Sequence, residues 1–387
     1  MEHHAHRRSR QSRLGHGVSG VLVLALAAVT LAACTAAAGS EGTGAGRLRV
    51  PRVAEKPPNS FGVGLGLVTW VEQQGYTENF ASGTTKPGRS LQVEILYPTL
   101  SVKAPTVKVL ATPAYRFGPY PVVVFAHGYN VDPNTYRALL ASWAEAGYVV
   151  VAPFFPDTSM AAIAAQHGVD TESDIFNQPA DIAFVVSQVV KAADGSPLSH
   201  IAYLAPMLNP HEIILAGQSD GGDTVAALLY DRAYGATRAS MPVKPLAVAI
   251  LSGSEMSRAE DVYSPPKGGG PLVLVVQSLT DGCNDPVYSS QLYNMLKGST
   301  KWFLAIDNAT HLGPYVGLGA AARVVEETTA AFFNLATHRP KASPSVIHQN
   351  GERPGVSTVT SAANVPWYPA PASLPDACAR PPGAPTD

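Results

Sequence analysis

The stretch "LAGQSDGGDTVAALL", residues 215–229, places a single serine, Ser219, between glycines directly after an apolar run. The residues "EIILAGQ" before it predict a buried strand, and "DTVAALLY" after it has helical spacing. A tight strand–turn–helix connection explains the glycines, because a Cβ at Gly217 or Gly221 would clash with neighbouring backbone. Such a turn would lift the Ser219 hydroxyl clear of the carboxyl end of the strand. G-x-S-x-G in this setting is typical of a nucleophilic serine on a parallel sheet.

Short apolar runs alternate with helical patterns along the rest of the chain. "YPVVVFAHG" and "PLVLVVQS" are continuous apolar runs, whereas "QPADIAFVVSQVVKAADG" and "GAAARVVEETTAAFFNLA" have helical spacing. This alternation predicts an α/β fold with a mostly parallel central sheet and helices on both faces. The segment that follows the strand "LAVAILSG" is short, so we expect no large lid domain.

A serine hydroxyl is a poor nucleophile until a neighbouring base accepts its proton. The partners are expected in the order Ser, Asp, His, at the ends of later strands. "PLVLVVQSLTDGCND" offers Asp281 and Asp285, and "KWFLAIDNATHLGPY" offers His311. Asp281 is favoured because it directly follows its strand, whereas Asp285 precedes Pro286 in the manner of a helix cap. The predicted catalytic triad is Ser219, Asp281 and His311, with Asp285 as the alternative acid.

The oxyanion that develops during acyl transfer needs backbone N–H donors. We expect one from Asp220, the residue after the nucleophile, and one from Tyr129 in the loop after "VVVFAHG". His127 in that loop is interpreted as a bracing residue, since one base suffices. Residues 158–177 are predicted to form a pocket wall. This chemistry requires no metal and no organic cofactor, and none is predicted.

The amino-terminal residues indicate export. A positively charged start, "MEHHAHRRSRQSRLGHG", precedes an apolar run that is short for a permanent membrane helix. The run ends in "LAAC", which resembles the lipobox of bacterial lipoproteins, where cleavage precedes a cysteine that carries a diacylglycerol. We therefore expect residues 1–33 to be a signal peptide and Cys34 to anchor the protein on the extracytoplasmic face of the cell membrane. An ordinary secretory signal is the alternative.

The two flanks of the predicted catalytic domain, residues 60–338, are poor in apolar periodicity. Residues 34–59 predict a flexible tether, and residues 339–387 a proline-rich tail that drapes over the domain or stays loose. Besides the predicted lipidation site, the chain has two cysteines, Cys283 and Cys378. An even pair in an oxidising compartment favours a disulfide, which would tie the tail to the loop of the predicted acid. Two unpaired thiols are the alternative.

These motifs together resemble the α/β-hydrolase superfamily, in particular its dienelactone-hydrolase-like, platelet-activating-factor-acetylhydrolase-like and cutinase-like members. The stretches that carry the resemblance are "GRSLQVEILYP", "PVVVFAHGYN", "AGYVVVAPFFPDT", "NQPADIAFVVSQV", "GQSDGG", "VQSLTDGCNDP" and "DNATHLG". The resemblance implies an α/β-hydrolase fold and hydrolysis of carboxylic esters. Gln218 stands where these proteins often have His or Tyr, and Asp220 where they have an apolar residue. Dienelactone hydrolases proper use a cysteine nucleophile, so Ser219 does not imply that activity.

The composition of the chain limits the classes of partner that we expect. The chain carries 27 basic and 29 acidic residues, a formal charge of −2, and no basic stripe, so no nucleic-acid partner is expected. The leading hypothesis is an exported, monomeric serine esterase that acts on a small-molecule, lipid or polymer ester. Acyl transfer to a cell-envelope alcohol or sugar is one alternative. A non-catalytic binding lipoprotein on a hydrolase scaffold is another, and the complete predicted triad argues against it.

Overall fold

A computed structural model describes residues 57–369 with gaps at 59, 101–106, 167–168, 170, 254–262 and 265–268. The signal peptide, most of the tether, Cys34 and Cys378 lie outside the described residues. So does most of the segment for which we expect no large lid. In the part that is described, no helix is long and apolar enough to cross a membrane.

Ten strands in the described residues form one sheet. They are β1 (Gly62–Asn79), β2 (Thr84–Thr99), β3 (Lys108–Val109), β4 (Tyr120–Ala126), β5 (Val149–Phe154), β6 (Leu208–Gln218), β7 (Ala247–Leu251), β8 (Leu272–Ser278), β9 (Lys301–Ile306) and β10 (Ser357–Thr360). The order across the sheet is β10-β9-β8-β7-β6-β4-β5-β2-β1-β3. Strands β5, β4, β6, β7, β8 and β9 are parallel, while β2 on one side and β10 on the other join antiparallel. The predicted mostly parallel sheet is confirmed.

Helices alternate with the strands, as the sequence predicts. They are α1 (Arg137–Glu145), α2 (Met160–Ala165), α3 (Gln178–Ala193), α4 (Asp220–Tyr230), α5 (Gly235–Ser240), α6 (Pro286–Met295), α7 (Gly313–Val316), α8 (Ala320–Ala336) and α9 (Pro344–Gly351). Short 3₁₀ helices occupy Tyr115–Phe117, Pro133–Tyr136, Glu172–Phe176, Pro197–Ser199 and Ala202–Met207. The helical pattern that begins after Ser219 is interrupted, because α4 ends at Tyr230 and α5 begins at Gly235.

The central strands are buried on both faces, and this explains their continuous apolar sequences. Successive side chains of a strand point to opposite faces. In β4, Val122 and Val124 belong to one core cluster, whereas Val123 and Phe125 belong to the other. Helices α3 and α4 contribute to the first cluster, and α1 and α8 to the second. The sheet therefore holds the carboxyl ends of its parallel strands at one rigid edge.

The fold extends past the predicted boundary at residue 338. Strand β10 pairs with β9, and Ile347 of α9 is fully buried. Further along, Val365 is also buried, and the ring of Tyr368 stacks on Phe303 with centroids 5.6 Å apart. The sequence of this region has too few aliphatic residues for a core of its own. Those few suffice here because they add to a core that the sheet already provides.

Candidate active site

Ser219 lies at the sharp turn between β6 and α4. Its φ of +56° and ψ of −129° are a backbone conformation that residues with a Cβ rarely adopt. Both flanking glycines are required by close contacts. A Cβ on Gly217 would lie 2.0 Å from the Gly221 carbonyl oxygen, and one on Gly221 would lie 2.1 Å from the carbonyl oxygen of Ala126. The turn therefore holds the serine at the carboxyl edge of the sheet.

The structure brings Ser219, Asp281 and His311 together. His311 Nε2 lies 2.9 Å from Ser219 Oγ, and His311 Nδ1 lies 2.8 Å from Asp281 Oδ2. Asp281 is fully buried, and His311 is 7% exposed. With the ring proton on Nδ1, the imidazole donates to the carboxylate and its other nitrogen accepts from the serine hydroxyl. This arrangement can take a proton from Ser219 and return it.

The two candidate acids have different surroundings. Asp281 Oδ1 also accepts from the backbone N–H groups of Cys283, at 2.8 Å, and Asn284, at 3.0 Å. These contacts fix the carboxylate against the imidazole. Asp285 Oδ1 instead accepts from the Val287 N–H at 2.9 Å and caps helix α6. The structure thus places Asp281, and not Asp285, beside the ring.

The two predicted oxyanion donors belong to backbone segments that border the serine. Asp220 is the first residue of α4, at the positive end of the helix dipole. Tyr129 follows Gly128, and a Cβ on Gly128 would lie 3.0 Å from Ser219 Cβ. The Tyr129 hydroxyl accepts from the Thr171 N–H at 3.3 Å, which connects this loop to the predicted pocket wall.

His127 has the surroundings of a bracing residue. Its Nε2 accepts from the Phe155 N–H at 3.0 Å, and its Nδ1 lies 2.7 Å from the Gly128 carbonyl oxygen, to which it donates. Burial, opposed in part by the bond to Gly128, lowers the pKa of His127 to about 4. A neutral ring with both nitrogens occupied joins the loop after β4 to the end of β5.

The predicted pocket wall, residues 158–177, adjoins a cluster of buried charges that the sequence analysis missed. Arg89 is 2% exposed and contacts three carboxylates: Asp181 at 2.7 Å, Asp174 at 2.6 Å and Asp157 at 3.2 Å. Asp157 directly precedes the wall, and Asp174 lies within it. The cluster therefore anchors the wall to β2 and α3. No local sequence motif indicates this cluster, because Arg89 lies 68, 85 and 92 residues from its three carboxylates.

Asp281, Cys283 and His311 also offer three metal-ligand atoms within 4.8 Å of one another. The two ring nitrogens of His311 already face Asp281 and Ser219. A metal ion would have to displace one of those contacts. The donor set therefore fits a proton relay better than a metal centre.

Comparisons with known proteins agree with this fold. The profile of the chlorophyllase family matches residues 76–247, which include Ser219 but neither Asp281 nor His311. A ferulic acid esterase from Streptomyces cinnamoneus is similar in structure, with a TM-score of 0.54 and 20% identity over 78% of this chain and 96% of that one. No curated protein matches the chain. The likeness in structure shows that the chain has an α/β-hydrolase fold.

Proposed function

We propose that the protein is a serine esterase that cleaves carboxylic esters through an acyl-enzyme. The observation that carries this proposal is the continuous hydrogen-bonded chain from Ser219 through His311 to Asp281, built on a strained turn. Asp281 is buried, and two backbone N–H groups donate to its carboxylate. These contacts keep the carboxylate in place. The chlorophyllase match and the likeness to a ferulic acid esterase favour esters as the substrate class.

In the first half-reaction, Ser219 Oγ attacks the ester carbonyl carbon while His311 Nε2 takes the hydroxyl proton. Asp281 stabilises the imidazolium that forms. The backbone N–H groups of Asp220 and Tyr129 hold the negative oxygen of the tetrahedral intermediate. When the intermediate collapses, the C–O bond to the alcohol breaks and His311 gives its proton to the leaving oxygen.

In the second half-reaction, water attacks the acyl-enzyme carbonyl and His311 takes the proton from that water. Collapse of the second tetrahedral intermediate breaks the bond to Ser219 Oγ, which regains its proton from the imidazolium. The products are an alcohol and a carboxylic acid. Every proton in the cycle passes through His311 Nε2.

A fluorophosphonate probe tests the nucleophile directly. Purified protein should be labelled at Ser219, and Ser219→Ala should not be labelled. Ser187→Ala is the matched control, because the Ser187 hydroxyl only donates to the Ala183 carbonyl within α3. Labelling at a different serine, or unlabelled folded protein, would contradict the proposal. Rates on p-nitrophenyl esters of increasing acyl length would then define the size of the acyl pocket.

We further propose that the enzyme is exported and held on the membrane by a lipid on Cys34. The support is the charged start, the short apolar run and the "LAAC" sequence. Two or three acyl chains give stable anchoring where one does not, since each buried CH₂ contributes about 0.8 kcal/mol. Cys34→Ser should release soluble protein or block processing. Unchanged detergent partition of that variant would count against the anchor.

A disulfide between Cys283 and Cys378 is also proposed. Cys283 lies two residues after the proposed catalytic acid, and its N–H donates to Asp281 Oδ1. A bond that closes a loop of roughly 95 residues contributes at most about 4.7 kcal/mol in the chain-entropy model. It would also stiffen the loop that carries the catalytic acid. Mass spectrometry of non-reduced peptides should detect the linked pair, and two alkylatable thiols in unreduced protein would exclude it.

A further inference from the structure

Gln218, the residue directly before the nucleophile, is fully buried. Its Oε1 accepts from the Tyr136 hydroxyl at 2.6 Å. Its Nε2 lies 3.3 Å from His311 Nε2 and 3.4 Å from the His311 carbonyl oxygen. One side chain therefore contacts the base of the triad and, on its other side, a tyrosine of the 3₁₀ helix that follows β4.

Hydrogen-bond polarity fixes the orientation of this amide. The His311 carbonyl oxygen can only accept, so the NH₂ group of Gln218 has to face it. On the other side, the Tyr136 hydroxyl accepts from the Gly128 N–H at 3.2 Å and donates to Gln218 Oε1. Burial raises the pKa of Tyr136, so the phenol keeps the proton that it donates. The bonds therefore form one directed chain from Gly128 to His311.

The amide distinguishes the two protonation states of the ring. A neutral imidazole with its proton on Nδ1 has a lone pair on Nε2, which can accept from Ser219 Oγ and from Gln218 Nε2. A protonated ring would present an N–H to the N–H of the amide, and that contact is repulsive. The hydrogen bond from Gln218 Nε2 to His311 Nε2 therefore exists only while the ring is neutral and able to accept the serine proton.

We propose that Gln218 is a positioning residue that keeps His311 neutral and aimed at Ser219 in the resting enzyme. Through Tyr136 it also ties the base to the Gly128 backbone, next to the proposed oxyanion donor. This inference rests on the proposed serine esterase function. Both ends of this buried amide are engaged by groups of the site: the base on one side, and on the other the tyrosine that binds the Gly128 backbone.

The other titratable groups around the pair are left chemically unaltered by a substitution at Gln218. Asp281 faces His311 from the loop after β8, and Asp220 stands at the start of α4. Tyr315 on α7 is fully buried, and burial raises its pKa, so the phenol remains neutral. A change that follows substitution of Gln218 alone is therefore attributable to the amide.

The test replaces Gln218 with methionine, which has a similar length and no hydrogen-bonding amide. In Gln218→Met, the acidic limb of the kcat/KM profile should move to higher pH by about 0.5 to 1 unit, the size of one lost hydrogen bond. Gln218→Glu should move the limb further in the same direction, because a carboxylate accepts from the protonated ring. Gln178→Met is the matched control, since that buried amide contacts Thr158 and Thr224 and not the triad.

A second readout separates this proposal from the esterase function. The titration midpoint of the His311 ring, followed by ¹⁵N NMR without substrate, should shift as the kinetic limb does. Failed probe labelling of Ser219 would overturn the function while this titration still reported on the amide. An unchanged midpoint in folded, active Gln218→Met would overturn the positioning role. If that variant does not fold, Tyr136→Phe should show a smaller shift in the same direction, and no shift would again overturn it.

Discussion

The triad and the surroundings of Arg89 both bury charged groups. In the triad, one carboxylate faces an imidazole that can gain and lose a proton beside Ser219. Around Arg89, a guanidinium that does not release its proton faces three carboxylates and is 2% exposed. Burial of charge is common to both regions. The proposed catalytic role of the triad rests on an exchangeable proton next to the Ser219 hydroxyl, whereas the Arg89 cluster connects segments of chain.

Removal of the nucleophile should give the largest effect and the sharpest separation of the two regions. Ser219→Ala deletes one hydroxyl, so ester turnover should fall by about 10⁵- to 10⁶-fold, because triad members act as a unit. The free energy of unfolding should change little. Initial rates on a p-nitrophenyl ester and urea unfolding curves measure both quantities. Near-parental turnover would remove Ser219 from the mechanism.

Substitution of the proposed catalytic acid should give the next largest effect. Asp281→Asn keeps the shape of the side chain but favours the wrong tautomer of His311, so kcat should fall by about 10⁴-fold. Asp285→Asn is the matched control, because Asp285 caps α6. That change should cost about 1 kcal/mol of stability or less, with turnover close to the parental value. The reverse ranking in a steady-state assay would transfer the role to Asp285.

A substitution in the Arg89 cluster should change the free energy of unfolding and leave the rate of the chemical step unchanged. Arg89→Met leaves three carboxylates buried without their cation, at a cost of about 3 to 5 kcal/mol in the free energy of unfolding. Arg353→Met is the matched control, since Arg353 pairs with Glu327 on the surface and exposed pairs contribute about 0 to 1 kcal/mol. Denaturant titration measures both variants. A parental unfolding midpoint for Arg89→Met would mean that the cluster does not hold the fold together.

The same contrast explains what could be predicted from the sequence. The triad can be predicted from the sequence because each member directly follows an apolar strand, and parallel strands end at one edge of the sheet. The Arg89 cluster cannot be predicted in this way, because the carboxylates lie on segments far from Arg89 in the sequence. No spacing links Arg89 to Asp157 or Asp181. Tyr136 was missed for the same reason, although the unusual Gln218 pointed to its neighbourhood. The packing of β10 was missed because a short strand gains its stability from β9 and not from its own sequence.

The smallest expected effect is a pH dependence of stability that belongs to the cluster. Burial, with repulsion from Asp174, raises the pKa of Asp157 to about 6, and burial raises that of Asp181 to about 7, although Arg89 opposes both shifts. The ordinary value is 3.8, so between about pH 4 and 7 the folded state binds more protons than the unfolded state. Stability from these groups is therefore complete below pH 4 and is lost as the pH rises toward 7.

The measurement is the difference in free energy of unfolding between the parent and Asp157→Asn across that range. His127, whose pKa burial lowers to about 4, acts in the opposite sense, and it cancels when the two proteins are compared. Asn carries no titrating proton. The free energy of unfolding of the variant, relative to that of the parent, should therefore increase as the pH rises, with a slope of at most about 1.4 kcal/mol per pH unit. Asp194→Asn, at an exposed helix end, is the control for the loss of one carboxylate. A flat difference for Asp157→Asn would mean that this carboxyl is already ionised at pH 4, and that Arg89 outweighs the burial of its partners.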